Sequence, residues 1–284
     1  MILPGKTARI DFGQLDAILF DLGGTLVSMD FAWMARELLG LDVSCDSAAL
    51  ARAEVSVRRL VSAKLAEENP PAPVFPFFLR SILTQVLGES SDKVDELVSK
   101  LVPVLLPEGK SQKLWSTVDP ATRDALQEFS GLGLRMAVVS NSDGTAEAGI
   151  KALGLRDFFE VVIDSAVVGY EKPDPRIFQR ALDTIGLKPS RAIYVGDLYS
   201  VDVLGARAAG VHPVLLDPHG DWGEVDCVTV SSLTELVTMF ELPPTIDLEE
   251  RFERSPKQGQ HAAKPGTDRP PEARHGLLDF SDGN

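Results

Sequence analysis

Five short apolar runs, most of them separated by a helical pattern, constrain this chain more than any other feature. They lie at residues 17–20 (AILF), 134–140 (LRMAVVS), 161–163 (VVI), 192–195 (AIYV) and 212–216 (HPVLL). Runs this short and this apolar suit strands that are buried on both faces. Helical patterns fall at about 120–130, 145–153, 174–185 and 200–209. Strand and helix in alternation predict an α/β fold with a Rossmann-like parallel sheet core covered on both faces.

Residues 31–117 break that alternation. Helical patterns near 32–39, 47–68, 75–87 and 91–106 occur with no convincing strand, and NPPAPVFP at 69–76 reads as a loop between two of them. The segment is therefore expected to be an inserted helical cap over the sheet. The expected organisation is an N-terminal arm at 1–14, a core at 15–30 and 118–243, the cap at 31–117 and a tail at 244–284. In that tail, RFERSPKQGQHAAKPGTDRPPEARHG (251–276) is rich in Pro, Gly and mixed charge. Such a stretch buries too little to offset its ordering entropy, and it reads as disordered.

Composition narrows the partners. The chain has 284 residues, 44% hydrophobic and 25% charged, enough for one large domain or two smaller ones. A formal net charge of −14 makes it a poor partner for nucleic acid or an anionic membrane, since both are polyanions. A phosphate-binding site on such a chain must supply its own local positive charge. Cys45 and Cys227 have no metal-like spacing and no framework of other cysteines, which fits a reducing compartment. The opening MILPGKTARIDFGQ lacks the apolar core of a signal peptide, and stretches such as LVPVLL (101–106) are too short to span a bilayer. The expected location is the cytoplasm.

Four segments carry candidate chemistry. In FDLGGTL (20–26), Asp21 ends a buried strand, where parallel sheets bind ligands in the crevice beyond the strand ends. Asp and Gly are also the ordinary residues of turns. In VVSNS (138–142), the hydroxyl of Ser140 and the following backbone N–H groups suit a phosphate oxygen, or equally a helix cap. In GYEKPDPRIF (169–178), Pro173 and Pro175 stiffen the loop and fix Lys172 just before a helix. A solvated loop lysine is the plainer alternative. In YVGDLYSVDVLGARAAG (194–210), Asp197 and Asp202 meet a strand–helix junction, a pair suited to a hard cation such as Mg²⁺. Ser200 capping the helix and Asp202 complementing its dipole would explain the same residues without a metal.

Taken in order, the four segments resemble the motifs of the haloacid dehalogenase-like hydrolase superfamily over about residues 15–216, with 31–117 where that superfamily places its C1-type cap. The resemblance implies a Mg²⁺-dependent hydrolase acting on a small phosphorylated substrate. By that pattern Asp21 is the nucleophile that forms an aspartyl-phosphate. Thr25 holds the turn and, with Ser140 and Asn141, makes the substrate-binding set. Lys172 neutralises charge on Asp21 and the phosphate. Asp21, Asp197, Asp202 and the backbone carbonyl of Gly23 form the Mg²⁺ set.

The sequence departs from the pattern at one place. Phosphatases of the family usually carry a second Asp two residues after the nucleophile, as general acid and base, and Gly23 stands there. Some members share that glycine and remain hydrolases. A positioned acid is typically worth about 10²–10⁴ in rate. Its loss favours esters that leave unaided: aryl phosphates, acyl phosphates or anomeric sugar phosphates.

Two other readings compete. A 2-haloacid dehalogenase needs no acid, but family dehalogenases usually carry Tyr at the Gly23 position and need no metal. A catalytically weak binding or regulatory protein fits Gly23 and the tail, but not the intact Asp21, Ser140, Lys172 and Asp197 set. A dinucleotide site has only Gly131-Leu-Gly133, which precedes a strand instead of following one, and is discarded.

Overall fold

The computed structural model describes residues 10–71, 73–88 and 91–241. These fall within one unit, Met1–Pro244, and a second unit, Thr245–Asn284, lies outside them. The tail expected to be disordered, and residues 1–9 of the arm, are likewise outside the described residues.

After a 3-10 turn at Phe12–Gln14 come β1 (Ala17–Phe20) and, past a glycine turn, β2 (Ser28–Met29). Four helices follow: α1 (Phe31–Leu39), α2 (Ser47–Leu65), α3 (Val74–Leu87) and α4 (Ser91–Leu105). The strand β3 (Trp115–Thr117) then pairs antiparallel with β2. After it come α5 (Pro120–Gly131), β4 (Arg135–Ser140), α6 (Ala146–Ala152), β5 (Val161–Asp164), the short α7 (Ser165–Val168) and α8 (Pro175–Ile185). The remainder is β6 (Ala192–Gly196), α9 (Leu204–Ala208), β7 (His212–Leu216), β8 (Val228–Val230) and α10 (Leu233–Glu241).

Among the described residues the main sheet has six strands in the order β5-β4-β1-β6-β7-β8, all parallel. This is the α/β class that the run spacing predicts. The apolar runs are continuous because both faces are covered: Ile18, Phe20, Val138 and Val195 enter one core, while Ala17, Leu19, Val139 and Tyr194 enter the other. Odd and even positions of β1 thus serve opposite faces, as strand geometry requires.

Residues between β2 and β3 build a separate apolar cluster, in which Leu38, Leu50, Val57, Leu79, Leu83 and Leu101 are buried together. No strand was expected in 31–117, yet β3 begins at Trp115. Three residues paired with two leave too short an alternation to read. Among the described residues no helix is long and apolar enough to cross a membrane.

Candidate active site

The site forms where β4, β1 and β6 end side by side. Phe20 pairs with Val138 on one side and Val195 on the other, so Asp21, Ser140 and Asp197 emerge at the same edge of the sheet. The backbone N–H of Asp21 donates to the carbonyl of Val195 at 2.8 Å, which fixes its exit from the strand. Beyond β4, the buried Asp164 accepts hydrogen bonds from the backbone of Gly144 and Ala146, both at 3.1 Å, and shapes the loop after Ser140.

Lys172 is delivered by a stiff junction. Asp174 caps α8 by accepting from the N–H of Arg176, and Pro175 opens the helix with a preset φ. The amide of Asn141 spans the backbone of Lys172, accepting from its N–H at 2.7 Å and donating to its carbonyl at 3.0 Å. Asn141 therefore clamps the lysine loop, although it also lines the cavity described below.

The lysine side chain is 2% exposed and donates to Asp21 Oδ1 at 2.7 Å, Tyr194 Oη at 2.8 Å and Asp202 Oδ1 at 2.9 Å. Burial alone would lower the Lys172 pKa, but the carboxylates of Asp202 and Asp21 outweigh it and raise it above the ordinary lysine value. Asp202 is fully engaged, since its Oδ2 accepts the backbone N–H groups of Asp197 at 3.0 Å and Leu198 at 2.8 Å. A π-helical turn, Tyr199–Val203, follows Asp197 and carries Asp202.

Burial raises Asp21 to about 6 against the opposing pull of Lys172, and it raises Asp197 well above the carboxylate range against that of Arg58. The carboxylate oxygens of Asp21, Asp197 and Asp202 come within 4.8 Å of one another. Counting Glu54, which is buried nearby and paired to Arg58, four carboxylates face the two cations Lys172 and Arg58. With all four ionised, one divalent cation would cancel the remaining two negative charges. An all-oxygen donor set of this kind fits Mg²⁺.

Two glycines have opposite roles here. Gly24 has φ +76°, and a Cβ on it would lie 2.3 Å from Asp197 Oδ2. No other residue type fits. Gly24→Ala should destabilise the fold by at least about 1 kcal/mol, because strain and the clash with Asp197 add. Denaturant unfolding measures this, and an unchanged midpoint would show that the turn relaxes freely. Gly23 is outside the left-handed region, but the ring of Trp115 lies 3.2 Å from where its Cβ would be. An indole thus covers the space a side chain at 23 would need.

Helix α2 supplies an unexpected wall. Glu54, Arg58 and Ser62 recur every four residues and are each under 5% exposed. Arg58 holds Glu54 through two hydrogen bonds of 2.9 and 2.8 Å and reaches Asp197 Oδ2 at 3.2 Å. Ser62 Oγ accepts from the N–H of Ser200 at 2.8 Å, while Ser200 Oγ donates to the Ser62 carbonyl at 2.8 Å. Ser200 is accordingly spent on α2 and caps no helix.

A cavity of about 450 Å³ joins these groups. Asp21, Gly23, Ser140, Asn141, Lys172, Asp197 and Asp202 all line it. Thr25 does not: its buried hydroxyl has no hydrogen-bond partner among the described residues, and it is not part of the cavity wall. Arg58, Tyr194 and Trp115 were not anticipated from sequence. Only the Glu54–Arg58 spacing carried a signal, and i,i+4 pairs are ordinary on solvated helices.

Residues 15–210 match the sequence profile of haloacid dehalogenase-like hydrolases. Haloacid dehalogenase-like hydrolase domain-containing protein 3 of Homo sapiens is 44% identical over 110 residues, 37% of this chain and 43% of that protein. Glyceraldehyde 3-phosphate phosphatase of Methanothermobacter thermautotrophicus is 36% identical over 115 residues, 40% of this chain and 51% of that protein. The chain spans about half the length of the curated relatives it matches. In fold, it is similar to the magnesium-bound HAD-hydrolase YfnB of Bacillus subtilis, with a TM-score of 0.53 at 15% identity over 80% of this chain and 99% of that one. With the profile matched across most of its length, the chain belongs to the haloacid dehalogenase-like hydrolase family.

Proposed function

We propose that this hydrolase is a Mg²⁺-dependent phosphatase of small phosphorylated metabolites, with Asp21 as its nucleophile. The observation that carries the reading is the Lys172 ammonium held between Asp21 and Asp202 at the cavity floor. With Oδ1 held by the ammonium, Oδ2 is the oxygen that attacks phosphorus. In the first half-reaction that oxygen bonds to phosphorus as the ester P–O bond breaks, giving an aspartyl-phosphate and an alkoxide or phenoxide that takes its proton from water. In the second, water attacks the same phosphorus, phosphate departs and the Asp21 carboxylate is restored.

In this reading Ser140 hydrogen-bonds the phosphoryl oxygens, and Asn141 keeps Lys172 aimed. Asp21 and Asp197, with the Gly23 carbonyl, hold Mg²⁺, while Asp202 supports the loop and the lysine. Bound there, Mg²⁺ supplies positive charge that lets an anionic nucleophile approach an anionic phosphate. The name of the archaeal phosphatase relative agrees with phosphate-ester chemistry. The acidic surface disfavours nucleic acid and anionic membranes as partners, and the chemistry suits the cytoplasm.

The direct test is phosphate release from acetyl phosphate with Mg²⁺ and with excess chelator. Turnover should vanish in chelator, whereas undiminished turnover would remove this mechanism. Mg²⁺ binding has a second readout. A carboxyl whose folded pKa is raised from 3.8 to about 6 favours the folded state most at low pH, and that contribution is lost as pH rises through about 6. The metal-free protein should therefore lose stability across that window. Mg²⁺ needs ionised ligands, so its thermal stabilisation should be larger at about pH 7.5 than at about pH 5. Equal shifts at both pH values would place the ion elsewhere.

A further inference from the structure

The cavity that holds Asp21 has a second, chemically different half. Leu65, Val74, Phe75, Phe78, Leu106 and Trp115 line it, all from the helices and ribbon between residues 31 and 117. Five of them are only partly buried and Val74 is 42% exposed, so apolar surface remains uncovered. Among the described residues lining the cavity, Lys172 is the one cation, and it is already committed to Asp21 and Asp202. Beyond the floor, the charged lining residues Asp143 and Glu171 are both acids.

Given the phosphatase reading, on which this rests, we infer that the substrate is a monophosphate ester with an uncharged, largely apolar organic half of aromatic size, seated against Phe75, Phe78 and Trp115. A second phosphate or a carboxylate would meet acids and no free cation. The polar lining residues Ser111, Gln112 and Thr145 can pair one or two substrate hydroxyls, but against Phe75, Phe78 and Trp115 the remaining hydroxyls of a sugar would go unpaired, and unpaired buried hydroxyls are penalised. About 450 Å³ is the scale of a small-molecule pocket, not of a folded protein substrate. Gly23, covered by Trp115, offers no side-chain proton donor beside Asp21. A phenol or enol, which departs as a stabilised oxide, needs that proton least.

The test uses the full chain with Mg²⁺ and four probes: acetyl phosphate, 2-naphthyl phosphate, 4-carboxyphenyl phosphate and glycerol phosphate. The two aryl esters have phenols of similar acidity, so their ratio reports charge and apolarity alone. Naphthyl phosphate should exceed carboxyphenyl phosphate by at least about tenfold in kcat/KM, with glycerol phosphate lower still. Phe78→Ala and Phe75→Ala should each reduce the naphthyl-to-acetyl ratio by roughly tenfold. A ratio cancels any loss of folded enzyme, and Phe78→Leu, which keeps apolar volume, should reduce it less. Hydrolysis of acetyl phosphate with no preference for the naphthyl ester would overturn this inference and leave the phosphatase reading standing. No phosphate release from any probe would overturn both.

Discussion

Asp21→Asn should lower phosphate release by at least about 10⁴-fold while leaving the fold intact. An amide has nearly the shape of a carboxylate, but it cannot form the acyl phosphate. The structural consequence is opposite in sign. Asp21 is buried and its ionised form is opposed first by desolvation, and Asp202 adds repulsion. A neutral side chain removes both penalties, and Lys172 keeps Asp202 and Tyr194 as partners. The melting temperature of the metal-free variant should equal or exceed that of the wild type at about pH 7.5. Phosphate release and a melting curve on one preparation check both parts. Residual turnover within tenfold of wild type would assign the nucleophile to another residue.

Lys172→Met should damage both stability and catalysis. With the ammonium gone, Asp21 and Asp202 face each other in a buried space, and only the Tyr194 hydroxyl and backbone donors remain. Breaking a buried ion pair from one side typically costs about 3–5 kcal/mol. Turnover should fall by about 10²–10³, the usual effect of losing one preorganised donor to the transition state. The stability loss should be smaller at about pH 5, because without Lys172 the Asp21 pKa rises further and the carboxyl takes up a proton. Denaturant unfolding at the two pH values measures this. A loss under about 1 kcal/mol, equal at both, would mean that the lysine is not the counter-ion of the site.

The sheet was legible because its strands are buried on both faces and so appear as unbroken apolar runs, such as AILF and AIYV. The ends of those runs also pointed to Asp21, Ser140 and Asp197, which the structure brings to one cavity with Lys172. Short elements were not legible. β2, β3 and β8 have two or three residues each, less than a period needs to repeat. Contacts across long separations were also hidden. Arg58 looks like a solvated helix cation until α2 is docked against Asp197, and Ser62 pairs with Ser200 across 138 residues. Nothing local to Gly23 foretells that Trp115 covers it, since the ribbon that carries Trp115 closes over a long helical insertion.

The most direct test of the central claim, attack by Asp21 on phosphorus, is a single turnover in heavy-oxygen water followed by mass spectrometry of both products. Acid quench during the turnover should trap a phosphoryl group on the Asp21 peptide, and the completed turnover should leave the label in the released phosphate and none in the Asp21 carboxylate. Label in the Asp21 carboxylate would instead mean that water attacks the carbonyl carbon of an Asp21 ester, the outcome for a dehalogenase-type reaction, and would contradict the phosphoryl-transfer mechanism.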